Sequence, residues 1–515
     1  MQIVFLHYHL LPGGVTQVIA NHLQSLKQRF DGGSPCRIAI FHGGEHGEIK
    51  NLNWVDTDDI QVTEHIISRL GYDRPDEAVA DQDSLADNIC QELESIHFAP
   101  EDSIIHAHNH ALGKNTSLPG ALRAVAARGY PLLFQIHDFA EDFREDQYAR
   151  MTAAGGRADC FQWIYPQANH IHYAVLNRRD HNILIDSGIS SERLHVIPNP
   201  IVDLGTLPDR HEVRNRMSLE RGISSGRQLV IYPVRGIRRK NMGEMILWSA
   251  MFGEAASFGH TLSPRNVVEK PSYDRWKAIA DDLRLPCHFE LGETFSFEDN
   301  LSAADALITT SVAEGFGMVF LESQLAERPL IGRNLPEITS DFRAEGIDYS
   351  LLYDALLVPV DFLGKDRIYE SVLAAYIATI EKFGFLDRRK AMARVSLTGT
   401  LESGMIDFSR LTPALQQEIV MGAAKDVGLC TTLREQNPQM EKSLFRKGAE
   451  DQVKHNASVV RSRFAPEVTG KTLGNIYRKL STSTDRDRIE PLVDAEKILD
   501  HFIDFNRFCP LRSLP

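Results

Sequence analysis

The sequence is poor in cysteine and has no long apolar stretch. Six cysteines are spread over 515 residues without a C-x-x-C pair. This pattern is typical of free thiols in a reducing compartment and unlike a disulfide framework or a zinc site. No stretch approaches the roughly 20 apolar residues that cross a bilayer, and residues 2–7 read as a strand rather than a secretory signal. We therefore expect a cytoplasmic protein without an integral membrane segment.

An excess of positive charge is also missing. The 70 acidic residues outnumber the 56 Lys and Arg residues, which gives a formal net charge of −14. Nucleic-acid binding normally needs a basic face, so no nucleic-acid partner is expected. The lack of an evident basic amphipathic face favours a soluble substrate over a lipid one. The hydrophobic fraction of 43% is that of a globular protein, and the length exceeds what one hydrophobic core usually supports.

Short apolar runs alternate with amphipathic stretches along the chain, which is typical of parallel sheets covered by helices. Strands are predicted at 3–7, 37–42, 104–107, 131–137 and 171–175, and, after a segment interrupted by Pro198 and Pro200, at 228–234, 288–291, 306–310 and 330–332. Residues 56–83 are acidic and read as an irregular insertion. The pattern predicts an α/β protein with two doubly wound, Rossmann-like domains.

The domain boundaries follow from these two alternations. We predict an N-terminal domain at 1–200, joined by a C-terminal helix within 491–515. A second domain is predicted at 201–490, and it contains a helical insertion at about 387–456 whose purpose the sequence does not reveal. The sequence gives no indication of the oligomeric state.

The most informative motif is Glu314-Gly-Phe-Gly-Met-Val-Phe-Leu-Glu322, which follows a strand and opens a helix. Glycines let a phosphate or sugar approach the main chain, and the free amides at a helix start bind anions. Glu322 falls about one and a half turns into the helix, where its carboxylate could accept hydrogen bonds from ribose hydroxyls. The alternative is an ordinary helix start with acidic residues near its positive end.

Two further segments end strands with residues suited to a phosphorylated ligand. Arg235 and Lys240 follow the strand at 228–234, and anionic ligands of doubly wound sheets gather at the carboxyl ends of strands. Two cations there could neutralise a diphosphate, unless they belong to a solvated basic turn. Gly13 and Gly14 join the first strand to the first helix, and permit either a tight turn or a close ligand approach.

Histidines end two other predicted strands. His137 could donate to a sugar hydroxyl. His106, His108 and His110 alternate, which suggests metal ligands on one strand face, but the apolar run ends at Ala107. His108 and His110 are therefore expected in a loop where they could bind an acceptor.

Taken together, these motifs resemble those of retaining glycosyltransferases with the GT-B fold, in particular glycosyltransferase family 4. Residues 314–322 match the family's E-x7-E signature, and Arg235 with Lys240 matches its R-x4-K pair. The resemblance implies two domains facing each other across a cleft, an acceptor domain at 1–200 and a nucleotide-sugar domain at 201–490, and transfer without a metal ion. It also implies that Arg235 and Lys240 hold the donor pyrophosphate and that His137 contacts the sugar. The family often has glycines before Pro336-Glu337, where this chain has Arg333-Asn334-Leu335, so the donor sugar stays open.

We therefore predict a metal-independent hexosyltransferase that uses a nucleotide-diphosphate sugar as co-substrate and no cofactor. Its acceptor is expected to be a small soluble molecule. The predicted site residues are catalytic His137, Glu314, Arg235 and Lys240; donor-binding Gly14, Gly315, Phe316, Gly317 and Glu322; and acceptor-binding His108, His110 and Arg144. The alternatives are a disaccharide phosphorylase with the same fold and a non-catalytic sugar-nucleotide sensor.

Overall fold

The computed structural model describes residues 1–30, 36–44, 60–74, 81–155, 163–384, 387–446, 448–482 and 488–513. The chain forms two compact units. The first comprises Met1–Val202 and Phe464–Ile503, and the second comprises Asp203–Arg463 and Asp504–Pro515. Within the described ranges, no helix combines the length and apolar character needed to span a membrane.

Each unit is built on one parallel sheet. The strands are β1 (Gln2–Leu6), β2 (Cys36–His42), β3 (Ile60–Ile66), β4 (Ser103–His108), β5 (Leu132–Ile136), β6 (Ile171–Val175), β7 (Leu194–Val196), β8 (Gln228–Arg235), β9 (Ala256–Leu262), β10 (Cys287–His288), β11 (Ala306–Thr309), β12 (Leu330–Arg333), β13 (Leu352–Tyr353), β14 (Leu357–Pro359) and β15 (Met405–Asp407). The first sheet has the order β3-β2-β1-β4-β5-β6-β7 and the second β10-β9-β8-β11-β12-β13, while β14 and β15 form an antiparallel pair.

Helices follow most strands, as a doubly wound sheet requires. The principal helices are α1 (Gly14–Phe30), α2 (Gln82–Ser95), α3 (Leu118–Ala127), α4 (Glu145–Gly155), α5 (Arg178–Asp186), α6 (Arg210–Arg221), α7 (Met242–Phe252), α8 (Lys270–Asp282), α9 (Phe297–Ala303), α10 (Met318–Leu325), α11 (Pro336–Ala344), α12 (Val360–Leu363), α13 (Lys365–Phe383), α14 (Asp387–Glu402), α15 (Pro413–Lys425), α16 (Val427–Gln436), α17 (Pro438–Leu444), α18 (Glu450–Arg463), α19 (Pro466–Ser481) and α20 (Glu496–Phe502).

The α/β fold class with two doubly wound sheets is confirmed. In both sheets the strand order reverses beside the first strand of the unit, between β1 and β4 and between β8 and β11. Ligands of open α/β sheets bind outside the carboxyl ends of the strands at such a reversal. The topology therefore directs attention to the segments that follow these four strands.

The helix α19 belongs to the first unit, which differs from the prediction that it lies in the 201–490 domain. Its apolar residues Leu473, Ile476, Tyr477 and Leu480 recur at helical spacing and join the buried cluster that contains Ile19 of α1. Burying each such side chain contributes about 1.5–3 kcal/mol, which accounts for the return of residues 464–503. This return is longer than the predicted one at 491–515, and from Asp504 the chain belongs to the second unit.

Six observed strands, β3, β7, β9, β13, β14 and β15, were not predicted from the sequence, and β3 and β9 are the longest of them. The region 56–83, predicted to be irregular, contains β3, whose side chains are mostly exposed or half-buried at the edge of the sheet. The strand β9 has the sequence Ala-Ser-Phe-Gly-His-Thr-Leu, which lacks a run of β-branched residues although six of its seven residues are buried. Tertiary packing overrides local propensity in both places.

A buried ion network explains why this chain has Arg333 in a segment where the family that it resembles often has glycines. The Arg333 guanidinium, at the end of β12, donates to both carboxylate oxygens of Glu244 on α7, with the shortest contact at 2.6 Å, and to Asp407 on β15 at 2.7 and 2.8 Å. Tyr353 donates to Glu244 at 2.7 Å and receives a hydrogen bond from Trp248. Because Asp407 lies within the predicted insertion at 387–456, Arg333 attaches that region to the second sheet.

The charges of this network depend on one another. Burial raises the pKa of Glu244 although Arg333 opposes the shift. Burial alone would also raise the pKa of Asp407, but the charge of Arg333 and the hydrogen bonds from Arg333 and Ser409 bring it below its usual value. Removing Arg333 would leave two buried carboxylates without their cation.

We expect Arg333→Met to lower the free energy of unfolding by about 3–5 kcal/mol, since breaking a buried ion network leaves uncompensated charge. The matched control is Arg367→Met, which breaks the exposed pair with Glu418 and should cost about 0–1 kcal/mol. Urea unfolding followed by tryptophan fluorescence measures both. Equal losses in the two variants would show that the network adds little to stability.

Candidate active site

The loops that follow β8 and β11 are fastened to each other. Thr310 Oγ1, directly after β11, donates to the carbonyl oxygens of Lys240 at 2.9 Å and Asn241 at 3.1 Å. The amide of Val312 donates to the carbonyl oxygen of Arg239 at 2.9 Å. These bonds fix the side chains of both loops at the strand-order reversal of the second sheet.

Glu314 is the centre of a buried charge cluster in these loops. Lys240 Nζ donates to Glu314 Oε1, and Arg239 Nη1 donates to Oε2 at 3.0 Å. Ser311 Oγ donates to Oε1 at 2.6 Å, and because its proton is used there, the 2.6 Å bond between Tyr232 and Ser311 has the Tyr232 hydroxyl as donor. The carboxylate is thus held by two cations and one hydroxyl.

The cluster carries a surplus of positive charge. Burial alone would raise the pKa of Glu314, but Lys240 and Arg239 bring it below its usual value, so the carboxylate stays ionised. Arg235, at the end of β8, donates to the carbonyl oxygen of Ser263 at 2.8 Å. Burial together with the charges of Arg235 and Lys240 lowers the pKa of His260 to about 3. One guanidinium group and one ammonium group thus contact one carboxylate, and Arg235 adds a further cation at the end of β8, which suits an anionic ligand.

The glycine turn leads directly into α10. Gly317 precedes the helix with a φ of +83°, and a Cβ on it would lie 2.7 Å from Phe320. Both the backbone conformation and the packing therefore require glycine. Phe316 is buried and packs edge-on against Phe342 with 5.4 Å between ring centroids. The first amides of α10 have no partner inside the helix, so the turn of Gly315 and Gly317 presents an anion-binding helix start.

Glu322 is half-buried on α10 near Lys240. Burial raises the pKa of its carboxyl to about 7, and the charge of Lys240 only partly offsets this. Glu314 and Glu322 therefore differ in protonation. Glu314 is ionised and paired with cations, whereas burial keeps Glu322 partly protonated at neutral pH.

In the first unit, His137 follows β5 and is fixed by the loop after β4. Asn109, whose φ is +56°, accepts hydrogen bonds on Oδ1 from the amides of His137 at 2.7 Å and Asp138 at 3.0 Å. His137 Nε2 is 2.8 Å from His108 Nδ1. Burial lowers the pKa of His137 to about 4, so the imidazole is neutral at physiological pH.

The three predicted acceptor-binding residues differ in how far their side chains are exposed. His108 is the last residue of β4 rather than part of the loop, and both His108 and His110 are fully buried. His110 stacks on Phe134 and hydrogen-bonds to the carbonyl oxygen of Ile164 at 2.9 Å. Neither ring exposes a surface, so their positions do not support contact with an acceptor. Arg144 is partly exposed and donates to Asp138 at 2.5 Å.

Gly14 is exposed at the first position of α1, after β1, and a Cβ on it would meet no atom within 4 Å. This open space is consistent with a ligand approach but does not require glycine. Gly14 belongs to the first unit, whereas Gly315, Phe316, Gly317 and Glu322 belong to the second.

Sequence reasoning missed several residues that organise the second-unit site. Arg239 was not among the predicted site residues, yet it pairs with Glu314. Ser311 and Thr310 were not considered, although they directly follow β11. The sheet topology could have identified them. The strand order reverses between β8 and β11, so polar residues that follow these two strands meet at one edge of the sheet.

Comparisons with known proteins concern the fold and the class of activity. No protein-family model matches the sequence. The chain is 29% identical over 428 residues to mannosylglucosyl-3-phosphoglycerate synthase of Petrotoga mobilis, a match that covers 81% of this chain and 80% of that protein.

Solved structures of similar fold include HepE of Anabaena in complex with UDP and glucose. It has a TM-score of 0.53 and 13% identity, and the match covers 93% of this chain and 99% of that one. Sucrose-phosphate synthase of Thermosynechococcus elongatus has a TM-score of 0.54 and 12% identity, and covers 94% and 100% of the two chains. The predicted GT-B fold and the resemblance to glycosyltransferases are confirmed, and the likenesses indicate a nucleotide-sugar glycosyltransferase. Family 4 membership and retention stay predictions.

The raised pKa of Glu322 predicts a pH-dependent stability. The ordinary pKa of a glutamate carboxyl is 4.5, and in the folded state that of Glu322 is about 7. Between these two pH values the folded state keeps a proton that the unfolded state releases. The free energy of unfolding therefore falls as the pH rises through this range. Glu322→Gln should therefore raise the melting temperature more at pH 8 than at pH 5. Calorimetry at both pH values measures this.

The control for this experiment is Glu327→Gln, which alters an exposed carboxylate just beyond α10 and should show no such difference between pH 5 and pH 8. If Glu322→Gln gave the same change at both pH values, burial would not be what opposes the ionisation of Glu322.

Proposed function

We propose that the protein is a retaining glycosyltransferase that moves a hexose from a nucleotide-diphosphate sugar to a hydroxyl group of a small soluble acceptor. The observation that carries this proposal is the Glu314 charge cluster with Lys240 and Arg239 at the strand-order reversal of the second sheet. A site of this charge, beside a glycine turn and a helix start, suits a diphosphate joined to a sugar.

The donor roles follow from the positions of the charges. Arg235 and Lys240 would neutralise the diphosphate, both when it is bound and when it departs. The amides from Gly315 to Gly317 would contact the phosphate or the sugar. Glu322, further along α10, would accept hydrogen bonds from the ribose hydroxyls, and Glu314 would hold the sugar. Binding to ribose would then draw the Glu322 carboxyl towards its ionised form.

Retention of configuration requires either a carboxylate nucleophile or front-face attack. Glu314 is engaged by two cations and Ser311, which favours a positioning role over nucleophilic attack. In the front-face reaction, the bond between the anomeric carbon and the phosphate oxygen breaks while the acceptor oxygen bonds to the same carbon. The acceptor proton passes to the leaving phosphate oxygen, whose charge Arg235 and Lys240 stabilise.

The acceptor is proposed to be anionic and to bind the first unit. Burial and the charges of Arg150 and Arg144 lower the pKa of Lys114, so these three cations, from the loop after β4, the loop after β5 and the helix α4, lie close enough to act on one another. Lys114 also lies 5.3 Å from the ring centroid of Tyr72. Such a group suits a phosphate or carboxylate, and the Petrotoga relative is named for a product that contains 3-phosphoglycerate.

His137 would lie at the reacting centre, as in the family that the sequence resembles. Its backbone is fixed by Asn109 and its ring by His108. A neutral imidazole could donate to a sugar hydroxyl without adding charge, which suits a site whose positive charge is supplied by arginine and lysine.

Two other functions compete with this one. A phosphorylase of the same fold would release a sugar phosphate from a disaccharide with inorganic phosphate. A sugar-nucleotide sensor would need the ribose and phosphate contacts but would not turn over. Glu314, proposed to hold the sugar, together with His137 favours an enzyme, because a sensor needs only the ribose and phosphate contacts.

The test is incubation of the full chain with UDP-, GDP- and ADP-hexoses, with and without phosphorylated acceptors such as 3-phosphoglycerate and its glycosides. Released nucleoside diphosphate and the anomeric configuration of the product are measured. We expect acceptor-dependent release from one donor, retained configuration, and activity that survives brief treatment with EDTA.

Other outcomes of this panel would overturn the proposal. Phosphate-dependent cleavage of a disaccharide would identify a phosphorylase, and donor binding without release would identify a sensor. Loss of activity in EDTA that Mg²⁺ restores would place a metal ion in the transfer step.

Arg235→Ala and Lys240→Ala should each reduce turnover by roughly a hundredfold or more, since one lost stabiliser of a leaving group costs about 3 kcal/mol of barrier. The control is Arg238→Ala on the same turn, whose guanidinium pairs with Glu269, and it should keep most of the activity. Steady-state kinetics and melting temperatures are compared. Unchanged turnover with a lowered melting temperature would assign Arg235 and Lys240 to structure.

A further inference from the structure

Three buried histidines converge in the core of the first unit. His106 and His108 are two residues apart on β4, so their side chains share one face of the sheet. His22 comes from α1, which covers that face with α19. All three residues are fully buried, and one ring nitrogen of each lies within 4.8 Å of the others.

The hydrogen bonds of this trio are incomplete. Within the part of the chain that the structure describes, neither ring nitrogen of His22 has a hydrogen-bond partner, and neither does His108 Nε2. An unpaired buried polar group costs about 1–3 kcal/mol. Buried polar atoms without partners are uncommon in folded proteins and point to an unseen ion or water.

We propose that His22, His106 and His108 bind one divalent transition-metal ion, with Zn²⁺ the best match, as a structural site in the first unit. Neutral imidazole is a preferred ligand of zinc, copper and nickel.

The other contacts of the rings fit this assignment. Metal-bound histidines usually donate their second N–H to a nearby acceptor. With the ion on His108 Nε2, the proton on Nδ1 would donate to His137 Nε2 at 2.8 Å. With the ion on His106 Nε2, Nδ1–H would donate to the hydroxyl oxygen of Tyr477 at 2.7 Å.

Binding would require a small rearrangement. Nitrogens that share a zinc ion at about 2.0–2.1 Å lie roughly 3.3 Å apart in a tetrahedral site. Since the ring nitrogens lie within 4.8 Å of one another, they must approach by up to about 1.5 Å. His106 Nε2 would also leave Gln135 Oε1, at present 2.8 Å away. The Gln135 amide nitrogen has no hydrogen-bond partner among the described residues, so this side chain is already incompletely satisfied.

The site revises the sequence interpretation in two ways. The alternating histidines were considered as ligands with His110, but His110 stacks on Phe134 and hydrogen-bonds to Ile164, so the third ligand is His22 from another element. The ion would not act on the leaving group directly, because the charges proposed for that role belong to the second unit, and it would reach His137 only through the hydrogen bond from His108. It would fasten β4 to α1 and, through Tyr477, to α19.

The experiment uses the full chain with a tag free of histidine, produced with zinc in the medium and freed of loosely bound metal by gel filtration. Mass spectrometry of the metal content should find about one zinc ion per chain. Co²⁺ taken up on refolding without zinc should give the visible absorption of a tetrahedral or five-coordinate site. Refolding without metal should lower the melting temperature, and zinc should restore it.

His22→Leu should lose the ion, and the matched control His110→Leu, another buried histidine of the first unit, should keep it. The wild-type measurements decide the question even if His22→Leu fails to fold. Zinc-replete protein that contains no stoichiometric metal and takes up neither Zn²⁺ nor Co²⁺ would overturn the proposal. Retention of the ion by His22→Leu, or its loss from His110→Leu, would show that the ion binds elsewhere and would also overturn it.

Discussion

The ion cluster of Glu314 with Lys240 and Arg239 is the interaction on which the second-unit site depends. It links the loops after β8 and β11, which Thr310 also joins through backbone carbonyl oxygens. A buried carboxylate is tolerated there because two cations and a hydroxyl compensate its charge. The same arrangement leaves positive charge in surplus at the position where the fold binds ligands. Stability and ligand binding therefore rely on the same side chains.

Much of this site could be predicted because its residues follow one another in sequence. Arg235 and Lys240 lie close together in sequence at the end of β8, and Glu314 to Glu322 form one turn and helix start, so local pattern identifies each segment. The contact between Lys240 and Glu314, 74 residues apart, follows only from the order of the strands. The role of Arg333 could not be predicted, since its partners Glu244 and Asp407 are 89 and 74 residues away. The strand β9 was missed for a related reason, because its small and polar residues owe their burial to neighbouring strands and helices.

The first unit shows where an alternating pattern misleads. His106, His108 and His110 suggest one face, but the strand ends at His108, and Asn109 has a left-handed conformation. The alternation of side chains between the two faces of the strand therefore ends at His108, and the ring of His110 stacks on Phe134. His22, which does join the cluster, is 84 residues before His106. Only the packing of α1 on the sheet brings these rings together.

Both units hold polar side chains whose burial costs free energy that the surrounding protein atoms do not fully compensate. Burial raises the pKa of Glu322 to about 7, and His22 has no hydrogen-bond partner in the described part of the chain. A ligand that supplies the missing partner relieves this cost and binds the folded state alone, so it stabilises the fold by mass action. Ribose hydroxyls would do so at Glu322, and a metal ion would do so at His22. Glu322 and His22 lower the stability of the fold when their side chains lack partners. Ligand binding at these side chains is therefore expected to raise the stability of each unit.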